Sequence, residues 1–158
     1  MALVRVLVDG YSLLHQWPEL ASGRPRHSES ARDELVQALT QYHDLTGLPV
    51  TVFFDGASPK TGPLPRAGSR EVEVLFSRGG QSADQMIERA ARLFLDHGEV
   101  LVVTDDHLER DTVAALGGMV QSCDGFVAEF QQLTERLQKE VRRHNVRERH
   151  RFNRSRKP

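Results

Sequence analysis

A single cysteine, Cys123, among 158 residues excludes an internal disulfide and any multi-cysteine zinc site, and it fits a reducing compartment. Lysine is almost as scarce, with only Lys60, Lys139 and Lys157. A cluster of carboxylates in the body of the chain would find no ammonium nearby to balance it, since Lys60 lies in a proline-rich stretch. Long apolar runs are missing too. Asp9 interrupts the first one, and none nears the ~20 residues of a membrane-spanning helix. The expectation is a soluble, cytoplasmic protein. Several phosphate and nucleophile signatures are also absent. The first turn reads Asp9-Gly10-Tyr11-Ser12-Leu13-Leu14 rather than G-x-G-x-x-G, and neither G-x-x-x-x-G-K-[ST] nor G-x-S-x-G occurs. Tyr11 stands where a haloacid-dehalogenase phosphatase needs a second Asp, and no Lys closes a late strand as in a receiver domain.

What is present is globular: 39% apolar and 27% charged residues, enough for one domain with a full core. Apolar runs at Leu3–Val8, Val50–Phe54 and Val100–Val103 read as strands covered on both faces. Residues 71–76 alternate polar and apolar, which predicts a strand with one wet face, and Met119–Gln121 is a short fifth one. Helical periodicity fills Ser30 to Thr46, about 83 to His97, His107 to Leu116 and a long stretch from about Asp124. Ser82 with Gln85 three residues on is a capping-box pattern. Breakers Pro59, Gly62, Pro63, Pro65 and Gly68 mark a loop at 57–69. Alternating strands and helices predict an α/β fold with a mainly parallel sheet of about five strands.

Three of the predicted strands end on aspartate: Asp9, Asp55 and the pair Asp105 and Asp106. Asp84 opens a helix that starts near the same sheet edge. Each Asp alone reads as a turn or cap. Together they reach the carboxyl ends of parallel strands, where α/β sheets bind ligands. Gathered carboxylates repel unless a cation sits among them. A hard ion such as Mg²⁺, held by carboxylates, waters and phosphate oxygens, suits the set and could serve phosphodiester hydrolysis.

The ordered segments VLVDGYSLLHQWPEL, VTVFFDG, REVEVLF, QSADQMIERAA and VLVVTDDHLER resemble the NYN-domain family, most of all its YacP-like branch of PIN-like ribonucleases, from about Leu3 to about Arg143. The resemblance implies a PIN-like three-layer α/β/α sandwich and a Mg²⁺- or Mn²⁺-dependent endoribonuclease, acting in some relatives on ribosome-associated mRNA. It implies metal ligation by Asp9, Asp84 and Asp106, with Asp105 in support. Ser12 joins the candidate catalytic set; it stands where the family motif usually has Asn, and it is shorter and lacks the amide. A rival reading keeps the fold as a catalytically inactive RNA- or ribosome-binding protein.

Charge is divided unevenly. Residues 139–158 hold nine Lys or Arg against two Glu, +7, while the remainder carries −8. This predicts a domain at 1–143 and a basic C-terminal tail at 144–158 that meets a polyanion such as RNA or the ribosome. Candidate RNA contacts are Arg66, Arg70, Arg78, Arg142, Arg143 and Arg147, with Arg24 and Arg26 in another loop. Trp17 could stack a base but fits packing better; His15 and His107 read as polar surface residues, and Cys123 as a small buried one.

Overall fold

A computed structural model gives the structure of residues 2–56 and 72–156. The described elements are β1 (Leu3–Asp9), α1 (Gly10–His15), α2 (Glu29–Thr46), β2 (Val50–Phe54), β3 (Val72–Phe76), α3 (Ala83–Leu95), β4 (Glu99–Val103), α4 (His107–Ala115), β5 (Met119–Gln121) and α5 (Cys123–Arg156). The five strands lie in the order β3-β2-β1-β4-β5, and every neighbouring pair is parallel. The α/β prediction therefore holds, with β3 at one edge.

The alternation of side chains along each strand separates two cores. Leu7, Phe53, Val100 and Val102 meet Ala83, Ile87 and Ala91 of α3 and Val113 of α4. The intervening positions, Val6, Val8, Val52 and Phe54, are fully buried toward the other face, where α1 and α2 pack. Tyr42 and Trp17 close that layer against Phe126, at ring-centroid distances of 4.9 and 6.4 Å. Trp17 is 3% exposed, so it packs and does not stack on a ligand.

Local signals set the boundaries. Ser28 caps α2 by accepting from the Ala31 amide at 3.2 Å, and Gly47 ends that helix at φ 74°, a left-handed turn natural for glycine. The predicted capping box of α3 is complete: the Ser82 hydroxyl accepts from the Gln85 amide, and the Gln85 side chain accepts from the Ser82 amide.

Two features differ from the sequence reading. A six-residue helix, α1, follows Asp9 directly, nucleated by the Asp9 carboxylate accepting from the Ser12 amide. Helix α5 runs for 34 residues to Arg156, so the charged C-terminal segment is helical. Arginine is a good helix former, and the Glu148–Arg151 pair at 3.6 Å adds i,i+3 support. Contacts divide the chain into Met1–Phe126 and Val127–Pro158, which places the junction inside α5. The loop expected at 57–69 lies outside the described residues.

Candidate active site

The sheet is built outward from β1 in both directions. The chain runs β1, β2, β3 one way, then returns through α3 to β4 on the other side of β1. That reversal opens a crevice at the carboxyl ends of β1 and β4. Asp9 is the last residue of β1, and Thr104 directly follows β4.

Thr104 is fully buried and joins the two sides. Its hydroxyl lies 3.1 Å from Asp9 Oδ2 and 3.4 Å from Glu109 Oε2, and it accepts from the Asp106 amide at 3.2 Å. It has one proton for two carboxylates. Asp9 Oδ1 meanwhile accepts from the Ser12 amide at 3.4 Å. Burial raises the Asp9 pKa to about 6; the hydrogen bonds from Thr104 and Ser12 oppose the rise, and the charges of Asp84 and Asp55 add to it.

Glu109 completes the group. It is 7% exposed although its neighbour Leu108 is 78% exposed, so α4 turns an acid inward and a leucine outward. Among the described residues no hydrogen-bond donor reaches its Oε1. Burial first, then a hydrogen bond with Asp84 and the charges of Asp84, Asp9 and Asp106, push its pKa up to about 9. Asp84, in the first turn of α3, supplies the third carboxylate. One oxygen from each of Asp9, Asp84 and Glu109 lies within 4.8 Å of the others.

Other predicted residues stand around this group in different roles. Asp106 caps α4, its Oδ1 accepting from the Leu108 and Glu109 amides at 2.9 and 3.3 Å. It also borders a pocket of about 190 Å³, lined among others by Asp84, Glu88 and Glu109. Asp105 turns toward α5, where its Oδ1 accepts from the Cys123 amide at 2.9 Å. The Asp105 amide donates to Ser12 Oγ at 3.1 Å, and the Cys123 thiol donates to the same oxygen at 3.7 Å. Burial pushes that thiol up to about 12, so Cys123 is an inert packing residue. Asp55 Oδ1 accepts from the Ala83 amide at 2.7 Å, so it fastens the start of the helix that presents Asp84.

Gly10 holds Asp9 and α1 close to β2. A Cβ there would lie 2.3 Å from Phe54 Cε1 and 3.0 Å from the Phe53 carbonyl oxygen. Among the arginines, Arg24 pairs with Glu34, and Arg26 donates to the carbonyls of Leu14, Trp17, Leu20 and Pro18. Both fasten the loop before α2. Arg78 is exposed after β3, and Arg142, Arg143 and Arg147 are exposed on α5. Arg66 and Arg70 lie outside the described residues.

Residues 6–157 match the family described as the YacP-like NYN domain. The chain belongs to the YacP-like NYN domain family. It is 30% identical over 139 residues to the uncharacterized protein YacP of Bacillus subtilis strain 168, covering 87% of this chain and 81% of that one. Its fold matches the crystal structure of Rae1 (YacP) from the same organism with a TM-score of 0.73, 27% identity, and coverage of 94% of this chain and 84% of that one. A single-residue variant of Rae1 matches at 0.76, with 28% identity and 91% and 85% coverage.

This YacP-like NYN domain thus has a nuclease-type fold, with an acidic group at the switch point of its sheet. The donor chemistry fits a divalent ion. All three groups offer carboxylate oxygens, as Mg²⁺ and Mn²⁺ prefer, and the Oε1 of buried Glu109, which no donor among the described residues reaches, needs a proton or a cation. No helix among the described residues is long and apolar enough to cross a membrane.

Proposed function

We propose that this chain is a divalent-metal-dependent endoribonuclease, using Mg²⁺ or Mn²⁺ to hydrolyse phosphodiester bonds of RNA in the cytoplasm. The observation that supports it most is the convergence of Asp9, Asp84 and Glu109 beside a buried threonine at the switch point of a nuclease-type fold. These three would hold the ion, with Asp106 at the pocket rim and Asp105 and Ser12 bracing the turn. A bound divalent ion supplies charge stabilisation at a phosphodiester oxygen and lowers the pKa of a water.

The chain's own residues set the conditions for that chemistry. Thr104 holds Asp9 and Glu109 in fixed orientations, as supporting partners do around metal ligands. Asp55 fixes the helix that presents Asp84. The raised pKa values of Asp9 and Glu109 mean that loading the site expels protons. The basic end of α5, with Arg142 and Arg143 and then Arg147 within residues 144–158, would hold RNA phosphates. It gives the ribosome, as a carrier of the substrate, a surface to meet. In this reading 1–143 is the NYN domain and 144–158 a basic appendage.

One observation favours a second reading, an RNA- or ribosome-binding protein without turnover. The Ser12 hydroxyl already accepts from both Asp105 and Cys123, so it is turned inward where the family's Asn could meet a phosphate. The test is cleavage of RNA, free and ribosome-bound, with Mn²⁺ or EDTA, by wild type, Asp84→Asn and Glu109→Gln. Cleavage lost in EDTA and in both variants supports the enzyme. Salt-sensitive binding with no cleavage of either substrate moves the assignment to the binding protein.

A further inference from the structure

The bases of a bound RNA need a surface of their own, and Trp17 does not provide it. Another set of rings begins with Tyr11, two residues after Asp9. Phe54 is buried, Tyr11 is half-buried and His27 is exposed, so aromatic surface leads outward from the core to solvent. Tyr11 lies 5.0 Å from Phe54 and 4.3 Å from His27 between ring centroids, with the two pairs tilted at 58° and 40°. His15, also exposed, meets His27 edge-on at 5.7 Å.

The stack is held from behind. Arg32 Nη1 donates to the Tyr11 hydroxyl at 3.2 Å and to the His27 carbonyl at 2.8 Å. The same guanidinium sits over the Phe76 ring, 5.6 Å from its centroid. One cation therefore ties the Tyr11 hydroxyl to the His27 backbone, which sets the two rings side by side. Tyr11 is two residues from Asp9, on the turn that carries the candidate ligand.

We propose that Tyr11 and His27 form a stacking platform for an unpaired nucleobase of the RNA strand whose phosphate enters the acidic site. This rests on the RNA reading above and deepens it. Stacking needs a free π-face, so the platform selects single-stranded or looped RNA and rejects a duplex. It tolerates any base and prefers purines, which have the larger face.

The experiment is fluorescence anisotropy with labelled hexanucleotides in EDTA, which prevents turnover. Wild type, His27→Ala, His27→Phe and Tyr11→Ala are compared on oligoadenylate and on an abasic ribose-phosphate hexamer. His27 is exposed, so its variants keep the fold; the melting temperature of Tyr11→Ala is checked beside them. The platform predicts that wild type binds oligoadenylate about tenfold more tightly than the abasic chain, and that His27→Ala loses most of this preference. It predicts that His27→Phe regains the preference and that abasic binding is alike in all folded variants. Equal binding of both hexamers by wild type, or unchanged oligoadenylate affinity in His27→Ala, overturns the platform and leaves the RNA reading standing. Binding of neither hexamer overturns the platform, and the RNA reading then stands or falls on the cleavage test with free and ribosome-bound RNA.

Discussion

Replacing Glu109 by glutamine tests the candidate site without RNA. In the metal-free protein the Glu109 carboxyl has a pKa near 9 when folded, against 4.5 as a free side chain. Between these values the native state keeps a proton that the unfolded chain has released. Stability therefore falls as pH rises, by about 1.4 kcal/mol per pH unit. Asp9 adds to the same trend, but only up to its own value of about 6. Between pH 6.5 and 8.5 Asp9 no longer contributes, and the proton that Glu109 shares with Asp84 accounts for a loss of about 3 kcal/mol. Glutamine resembles the protonated acid, and its amide can donate toward Asp84. The Glu109→Gln variant should match wild type within about 1 kcal/mol at pH 6.5 and exceed it by about 3 kcal/mol at pH 8.5. Urea unfolding in EDTA reads this as a midpoint difference of about 1–2 M at the higher pH. Groups that titrate elsewhere cancel in the comparison. Adding Mn²⁺ should reverse the order, because only wild type can give up the Glu109 proton for an ion. Parallel pH profiles for the two proteins in EDTA would refute the argument that Glu109 is held protonated by its surroundings.

Three further perturbations address the supports of the site. Thr104→Val removes the one hydroxyl shared by Asp9 and Glu109; Mn²⁺ affinity, followed by melting-temperature titration, should fall about 10–100-fold, and Thr104→Ser should restore it. A Thr104→Val protein that binds Mn²⁺ as wild type does would remove Thr104 from the metal argument. Gly10→Ala gains about 1 kcal/mol of helix propensity but drives a methyl into the buried Phe54 ring and toward a backbone oxygen, so a net loss of about 1–3 kcal/mol should appear in urea unfolding; unchanged stability would mean that Phe54 moves freely. Replacing Arg142, Arg143 and Arg147 together by alanine should lower the slope of log affinity against log salt for single-stranded RNA by about 2, and an unaltered slope would show that they touch no phosphate.

Much of this architecture was legible because it rests on short-range rules. Apolar strands ending at Asp9 and Phe54, the stop at Gly47 and the capping box at Ser82 each express a local preference that the tertiary structure kept. The alternation of residues 71–76 announced a strand, and the sheet order sets that strand, β3, at one edge. Helix α1 was harder to see, because six residues give too little periodicity; its cue is Asp9 acting as a cap while also closing a strand. The helical course of the basic segment was hidden for a related reason. An arginine-rich stretch has no apolar stripe, although its backbone propensity is good.

Glu109 marks where local reading reaches its limit. Asp106-x-x-Glu109 has the spacing of a helix cap with its partner, so both acids look like termini of the same motif. The structure divides their work: Asp106 caps, and Glu109 turns inward toward Thr104 and Asp84. A cap and a ligand use the same residue types at the same strand ends, because both need a carboxylate near free amides or a cation. The distinguishing fact is burial, which depends on the opposite strand. The cue available was that Glu109 shares its helix face with Val113, four residues on, while Leu108 does not. An acid on the apolar face of a helix at the carboxyl end of a parallel sheet is therefore a better marker of this site than a further aspartate in the strand-end turn.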